Sequence, residues 1–236
     1  MTTDLQNAEP TFPPSHHAVI ILAAGLSTRL GTPKQLLYKN NQPLIEVMTK
    51  EALKTNPAAV IIVGQNHSKK VADVLTALSK LSNRNQIVIN PAPEKGMGQS
   101  LYLAINQLKT LAENLEIEHL LILGVDQIHL DSAHLQCLLA EKKAAKNKVV
   151  VASRYPKEGA IIANAHHSDV IGLPIAIDYA KLIDWQEKIF GDQGLRSLLR
   201  SLDACQIATI TNPKLCYDID TKGQLELAQK NGWLDS

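Results

Sequence analysis

Short apolar runs alternate along the chain with longer segments in which apolar residues recur every three or four positions. A strand that is covered by helices on both faces is apolar throughout, so the short runs predict buried strands. The expected strands are Ala18–Ala24, Ala58–Val63, Gln86–Ile89, His119–Leu123 and Val149–Ala152. The longer segments predict helices over Pro43–Lys54, from Ser68, from about Gln99 and over Ala133–Ala145.

The regular order of strand and helix up to Ser153 is typical of βαβ units, which build parallel sheets through right-handed crossovers. We therefore predict an α/β fold with three layers and a doubly wound, mostly parallel sheet. Beyond Ser153 the order breaks. The elements predicted there are a short hairpin or excursion at Ala160–Ala163 and Asp169–Ile171, a helix from about Pro174, a helix over Gln193–Leu202, a strand over Gln206–Ile210 and a helix over Gly223–Lys230.

Residues 1–17 contain three prolines and no long apolar run, which predicts a disordered tail rather than a signal peptide. The pair His16–His17 falls in this tail, and the pair His166–His167 falls in a predicted loop. Neither pair has the spacing of metal ligands, so we interpret both as solvated. Trp185 and Trp233 are interpreted as packing residues.

The overall composition excludes several classes of protein. A formal net charge of +1 and an aromatic content of 4% argue against a nucleic-acid partner. Every apolar run is far shorter than the ~20 residues of a membrane span, so no membrane association is expected. The cysteines Cys137, Cys205 and Cys216 lack metal-ligand spacing and are interpreted as small buried residues. So few cysteines fit a reducing compartment, and we expect a cytoplasmic protein.

The candidate chemistry begins directly after the first strand. The loop from Gly25 to Lys34 contains two glycines, several hydroxyls, an arginine and a lysine, at the sheet edge where α/β proteins bind ligands. Gly25 and Gly31 would let the backbone approach phosphate oxygens, Arg29 can bind two oxygens, and Lys34 adds a point charge. The alternative is a glycine turn with solvated basic residues. The spacing fits neither a P-loop nor the GxGxxG fingerprint, which excludes a dinucleotide-dependent oxidoreductase.

Asp126 follows the predicted strand His119–Leu123 and would also lie at this edge. A carboxylate there is a suitable ligand for Mg²⁺, which takes one or two carboxylates together with phosphate oxygens and water. The alternative is a helix cap, although Asp131 or Ser132 could cap the next helix instead.

The first loop resembles the signature of the MobA-like nucleotidyltransferase family, in which an apolar strand end is followed by Ser-x-Arg, Gly and Lys. Gly25, Ser27, Arg29, Gly31 and Lys34 match that signature. Pro33 to Leu37 is similar to the branch that contains molybdenum cofactor cytidylyltransferases. The resemblance continues at Gly96–Leu101, Gly124–Gln127, Gly172–Pro174, Gly191–Arg196 and Asp218–Thr221. Ile128 stands where the family usually has proline.

The resemblance implies a Rossmann-like, GT-A-like nucleotidyltransferase fold, formed here by residues 18–236, with a nucleotide-binding half (18–153) and an acceptor-binding half (154–236). It implies catalytic roles for Arg29, Lys34 and Asp126. It also implies Mg²⁺ as the cofactor, held by Asp126 and by Asp220, with Asp218 as the alternative to Asp220; Asp220 or Thr221 could instead cap the last helix.

The binding residues implied by the resemblance fall into two sets. Those for the nucleotide are Leu22, Ala23, Ala24, Gly25, Ser27, Thr28, Arg29, Gly31, Lys34, Asn90, Gly96, Gly98 and Ser100. Those for the acceptor are Gly172, Pro174, Asp192 and Arg196. Ser100 and Asp192 could also serve simply as helix N-caps.

Ala24 stands where guanylyl-transferring relatives tend to have glycine, and its methyl group would narrow the base pocket. The resemblance therefore implies CTP and a molybdopterin-type acceptor. Two alternatives remain: a nucleotidyltransferase that acts on a sugar or alcohol phosphate, and a protein that binds molybdenum cofactor and inserts it into an apo-molybdoenzyme.

Overall fold

The computed structural model describes residues 15–157, 169–189, 191 and 194–236. The strands are β1 (Ser15–Leu22), β2 (Tyr38–Lys39), β3 (Gln42–Pro43), β4 (Pro57–Gly64), β5 (Asn85–Ile89), β6 (His119–Gly124), β7 (Val150–Tyr155), β8 (Val170–Asp178) and β9 (Ile207–Thr211). The helices are α1 (Leu44–Leu53), α2 (Lys69–Leu81), α3 (Met97–Ala112), α4 (Ser132–Ala144), α5 (Tyr179–Trp185), α6 (Gly194–Arg200) and α7 (Lys222–Lys230).

Seven of these strands form one sheet in the order β5-β4-β1-β6-β8-β7-β9. Only β8 runs against its neighbours, pairing antiparallel with both β6 and β7. Since β4 and β6 flank β1 on opposite sides, the strand order reverses direction at β1. In open α/β sheets this reversal creates a crevice beyond the carboxyl ends of the strands, which is where ligands bind.

The two faces of the sheet support separate cores. In β1, Val19 and Ile21 face a cluster with α1, α2, α4 and α7, whereas Ala18 and Ile20 face a cluster with α3, α5 and α6. Alternate residues of a strand point to opposite faces, and in β1 both sets are apolar because both faces are covered. The predicted three-layer, doubly wound fold is confirmed.

The first strand begins earlier than predicted. Ser15–His17 belong to β1 rather than to a disordered tail, and residues 1–14 lie outside the described ranges. His17 is buried, with Nε2 2.9 Å from Thr55 Oγ1, so its interpretation as solvated was wrong; His16 is exposed. The pair His166–His167 lies outside the described residues.

The region after β7 also differs from the prediction. The helix expected from Pro174 begins at Tyr179, because Pro174 lies inside β8. The predicted excursion at Asp169–Ile171 leads into this long strand, and its other part, Ala160–Ala163, lies outside the described residues.

The interpretation of the cysteines as buried was correct for Cys216 and wrong for Cys137 and Cys205, which are exposed. Both tryptophans do pack: Trp185 is buried in the core, and Trp233 packs against Tyr217 and His129. In the part of the chain that the structure describes, no helix is both long and apolar enough to cross a membrane.

Candidate functional site

A cavity of about 800 Å³ opens at the carboxyl edge of the sheet, beside the reversal at β1. The loop after β1, the start of α3, the end of β6, the β7–β8 pair and α6 all contribute to its wall. Predicted site residues that line it are Leu22, Ala24, Gly25, Ser27, Thr28, Arg29, Lys34, Gly96, Ser100, Asp126, Arg196 and Asp220. The fold therefore brings together residues from both ends of the sequence.

The loop after β1 turns back on itself in a left-handed conformation. Ser27 has a φ of 53° and Gly31 a φ of 78°, values that L side chains rarely adopt. Ser27 accepts hydrogen bonds at its carbonyl from the Leu30 and Gly31 amides, and at its hydroxyl from the Lys34 amide (3.2 Å). The turn thus fixes the position of the Lys34 backbone. Gly25 is not needed for close packing, because a Cβ built there would have no atom within 4 Å.

Lys34 lies between two carboxylates at the wall of the cavity. Its ammonium is 2.9 Å from Asp126 Oδ2 and also donates to Asp220 Oδ1. Arg29 donates to the other oxygen of Asp220 at 3.0 Å. Asp126 and Asp220 therefore contact the same atom, Lys34 Nζ, although the two residues are remote in the sequence.

The charges of this cluster shift its ionisation. Burial alone would lower the pKa of Lys34, but the Asp126 and Asp220 carboxylates outweigh it and raise that pKa. Burial would raise the pKa of Asp220, but the hydrogen bond from Lys34 and the charge of Arg29 lower it. Lys34 is therefore an ammonium and Asp220 a carboxylate at neutral pH.

Two features hold Asp126 at the edge of the sheet. Gly124 ends β6, and a Cβ there would lie only 2.7 Å from Asp126 Oδ1, so the absence of a side chain makes room for the carboxylate. Gln127 pairs with Asp218 through a backbone bridge and donates to the Leu173 carbonyl at 2.7 Å. Asp131 caps α4, so Asp126 is not required as a cap.

Opposite the first loop, Asn90 organises the start of α3. Its side-chain amide donates to Ser100 Oγ at 2.9 Å, and its Oδ1 accepts from the Ala92 amide. The helix begins at Met97 with Gly96 as N-cap, so Ser100 lies inside α3 and its interpretation as an N-cap was wrong. Gly98 is buried, and its amide donates to the Gly191 carbonyl.

The remaining predicted residues occupy different positions. Ala23 is buried in the opposite core cluster, Asn90 lies behind Ser100, and Pro174 is buried within β8; none of these three is among the described residues that line the cavity. Gly31, Gly98 and Gly172 are also not among the residues that line the cavity. Asp192, also considered as a helix cap, lies outside the described ranges.

Sequence reasoning missed several residues of the wall. Gln35, Glu94, Gln127 and Tyr155 contribute polar groups, and Ile171, Leu173, Leu195 and Leu199 contribute apolar surface. Glu94, Gln127 and the two β8 residues lie within or beside the family-like segments, a proximity that could have suggested them. Tyr155 carries no such signal.

The acidic side chains of this cluster are the candidate ligands for a divalent cation. In the described ranges, no group of three or more His, Cys, Asp and Glu residues could by itself enclose a metal ion. Asp126 and Asp220 nevertheless both reach the position of one cation, the Lys34 ammonium. Two carboxylates beside an open cavity fit a metal that completes its coordination with phosphate oxygens and water.

The fold places the chain among the Rossmann-like α/β proteins, with a polar cavity at the carboxyl edge of the sheet. The sequence profile of the MobA-like NTP transferase domain matches residues 19–205. The chain therefore belongs to the MobA-like NTP transferase domain family and is a nucleotidyltransferase. Comparison with curated protein sequences gives no significant match.

Solved structures show the same fold. Rv0371c from Mycobacterium tuberculosis H37Rv has a TM-score of 0.68 at 19% identity, covering 92% of this chain and 98% of that chain. A complex of the same protein with manganese has a TM-score of 0.65 at 18% identity, covering 92% of this chain and 99% of that chain. The 4-diphosphocytidyl-2C-methyl-D-erythritol synthase from Anaerococcus prevotii has a TM-score of 0.65 at 14% identity, covering 91% of this chain and 94% of that chain. At these identities, the likeness establishes the fold alone.

Proposed function

We propose that this chain transfers the cytidylyl group of CTP to the phosphate of a molybdopterin-type acceptor in a Mg²⁺-dependent reaction that releases pyrophosphate. The observation that carries the proposal is the convergence of Asp126, Asp220, Lys34 and Arg29 on the edge of a cavity that has a glycine-containing loop on its wall. This set supplies both the carboxylates that a metal needs and the cations that a triphosphate needs.

The loop and the start of α3 form the nucleotide side of the proposed site. Ala24 is only 3% exposed and still lines the cavity, so its methyl group takes space that glycine would leave free. The narrower space favours a pyrimidine over a purine. The Anaerococcus prevotii relative is named for a cytidyl product, which supports a cytidine nucleotide on this fold.

In the proposed reaction, Asp126 and Asp220 would be the protein ligands of Mg²⁺. When bound, the ion supplies positive charge against the phosphates of the nucleotide. The manganese complex of Rv0371c supports a divalent cation in a related protein.

The chain's own cations have a separate task. A phosphate oxygen of the acceptor forms a bond with the α-phosphorus, the bond from the α-phosphorus to the bridging oxygen breaks, and pyrophosphate leaves with that electron pair. Lys34 and Arg29 offset the negative charge on the leaving group. A phosphomonoester is already an anion at neutral pH, so the step requires no general base.

A second candidate is transfer to an alcohol phosphate, as the name of the Anaerococcus prevotii synthase suggests for a relative of the same fold. A sugar phosphate would use the same groups. A protein that only binds and inserts molybdenum cofactor would not need Lys34, Asp126 and Asp220 to bind a nucleoside triphosphate and its metal ion.

The test is pyrophosphate release from CTP, GTP, ATP and UTP with Mg²⁺, each with and without molybdopterin. We expect release with CTP and molybdopterin together. Release only with an alcohol or sugar phosphate would replace the acceptor, and preference for GTP would refute the nucleotide assignment.

A further inference from the structure

Tyr155, the last residue of β7, lies on the cavity wall. It pairs with Val170 of β8, and Ser153 pairs with Gly172. The Tyr155 hydroxyl is 3.2 Å from the point where a Cβ on Gly172 would lie. The missing side chain at Gly172 therefore leaves the room that this hydroxyl occupies.

Two hydrogen-bonding groups on this wall have no partner among the residues that the structure describes. Neither the Tyr155 hydroxyl nor the Arg196 guanidinium makes a hydrogen bond or ion pair with another residue of the described ranges. Arg196 is exposed and lines the same cavity. Leu173, Leu195 and Leu199 also line it, so part of the wall is apolar. Polar groups in such surroundings gain most from a ligand that satisfies them.

Tyr155 can act only as a neutral hydroxyl at ordinary pH. Burial, together with the charges of Asp218 and Asp126, raises its pKa to about 12, and the charge of Arg196 opposes this rise. The hydroxyl therefore keeps its proton and is available as a donor to an anion.

We propose that Tyr155 is a further acceptor-binding residue, whose hydroxyl donates to the acceptor's phosphate together with the guanidinium of Arg196. This inference rests on the proposed function. A planar cation and a fixed hydroxyl on one wall suit a phosphomonoester, whose oxygens accept several hydrogen bonds at once. The Asp126–Asp220 pair lies on the same cavity, so a phosphate bound there is within the site where the nucleotide would react.

The test compares Tyr155→Phe with a matched control, Tyr102→Phe, at a half-buried position on α3 that does not line the cavity. Phenylalanine keeps the ring and removes only the donor. We expect Tyr155→Phe to raise the KM for molybdopterin by about 10-fold or more, as for a lost hydrogen bond to a charged group, and to leave the KM for CTP within about twofold. Tyr102→Phe should change neither. Equal acceptor KM values for wild type and Tyr155→Phe would overturn the inference.

A binding measurement separates this inference from the proposed function. Phenyl phosphate is titrated calorimetrically into wild type, Tyr155→Phe and Arg196→Lys, each with Mg²⁺ and a non-hydrolysable CTP analogue. We expect binding by the wild type, weakened about 10-fold in both variants. If the wild-type protein turns over no molybdopterin but the three proteins show this binding pattern, the proposed acceptor is refuted. The role of Tyr155 and Arg196 in binding phosphate is then still supported. No binding by the wild type, or equal binding by all three, would overturn the role of Tyr155.

Discussion

Lys34 Nζ lies 2.9 Å from Asp126 Oδ2, although 92 positions separate the two residues in the sequence. The same ammonium contacts Asp220, so it offsets two carboxylates that would otherwise repel each other. A positive charge at this point is therefore built into the protein. The proposed reaction requires positive charge in the same region.

Replacing Lys34 with alanine should lower turnover far more than it lowers stability. We expect kcat to fall by about 100-fold or more, corresponding to ~3 kcal/mol of lost transition-state stabilisation. The matched control is Lys50→Ala, because Lys50 forms a helix-surface pair with Glu46. Steady-state kinetics and thermal melting of both variants provide the measurement. Wild-type turnover in Lys34→Ala would remove Lys34 from the proposed mechanism.

The two carboxylates should determine metal affinity. Asp126→Asn and Asp220→Asn each remove a charged ligand, so we expect Mn²⁺ to bind at least about 10-fold more weakly in either variant. Electron paramagnetic resonance of free Mn²⁺, measured with the CTP analogue present, gives the affinity without turnover. Asp73→Asn, at an exposed position on α2, is the control. Unchanged affinity in Asp220→Asn would transfer the role of second ligand to Asp218.

The nucleotide preference should change when a methyl group is removed from Ala24 but not when one is removed from Ala23; both residues directly follow β1. Ala24 lines the cavity, whereas its neighbour Ala23 faces the opposite core cluster. Ala24→Gly should therefore increase the ratio of kcat/KM for GTP to that for CTP by about 10-fold, a change typical of a pocket that gains one methyl's space. Ala23→Gly should lower stability and leave the ratio unchanged. If both variants keep the wild-type ratio, Ala24 does not select the base.

Stability should fall in mild acid because His17 is buried. Burial, with the charges of Lys143 and His119, lowers its pKa from 6.5 to about 4. Between these values the unfolded state binds the extra proton, so stability is full above pH 6.5 and declines as the pH drops towards 4. A single such group contributes at most about 1.4 kcal/mol per pH unit.

Urea denaturation between pH 7.5 and 4.5 measures this slope. His17→Gln should reduce the slope, and His67→Gln, at an exposed position, should retain it. The slope that remains is expected from His119, His129 and His134, whose pKa values burial also lowers. An identical slope in wild type and His17→Gln would contradict the assignment.

The central sheet could be predicted because its strands are apolar on both faces, as in β1 and β4. The start of β1 could not be predicted, because Ser15, His16 and His17 are polar. The buried His17 is explained by contacts of its ring nitrogens with the hydroxyls of Ser15 and Thr55. In β8, Pro174 obscured the strand, and the antiparallel pairing of β8 between β6 and β7 follows only from the fold.

The candidate site shows the same division. Gly25, Arg29 and Lys34 could be found because they occupy one loop at a strand end. The contact between Lys34 and Asp220 spans 186 positions and follows only from the fold. Tyr155 could not be predicted, because its position depends on the space beside Gly172, and no spacing of residues in the sequence indicates that space.

The most direct test of the central claim follows the α-phosphate itself. The protein is incubated with Mg²⁺, molybdopterin and CTP labelled with ³²P at the α position, and the label is followed by chromatography. We predict that label passes to the pterin in wild type, while Asp126→Asn transfers at most about 1% as fast. Label that remains in CTP or in free CMP, from protein shown to bind CTP, would contradict cytidylyl transfer to this acceptor.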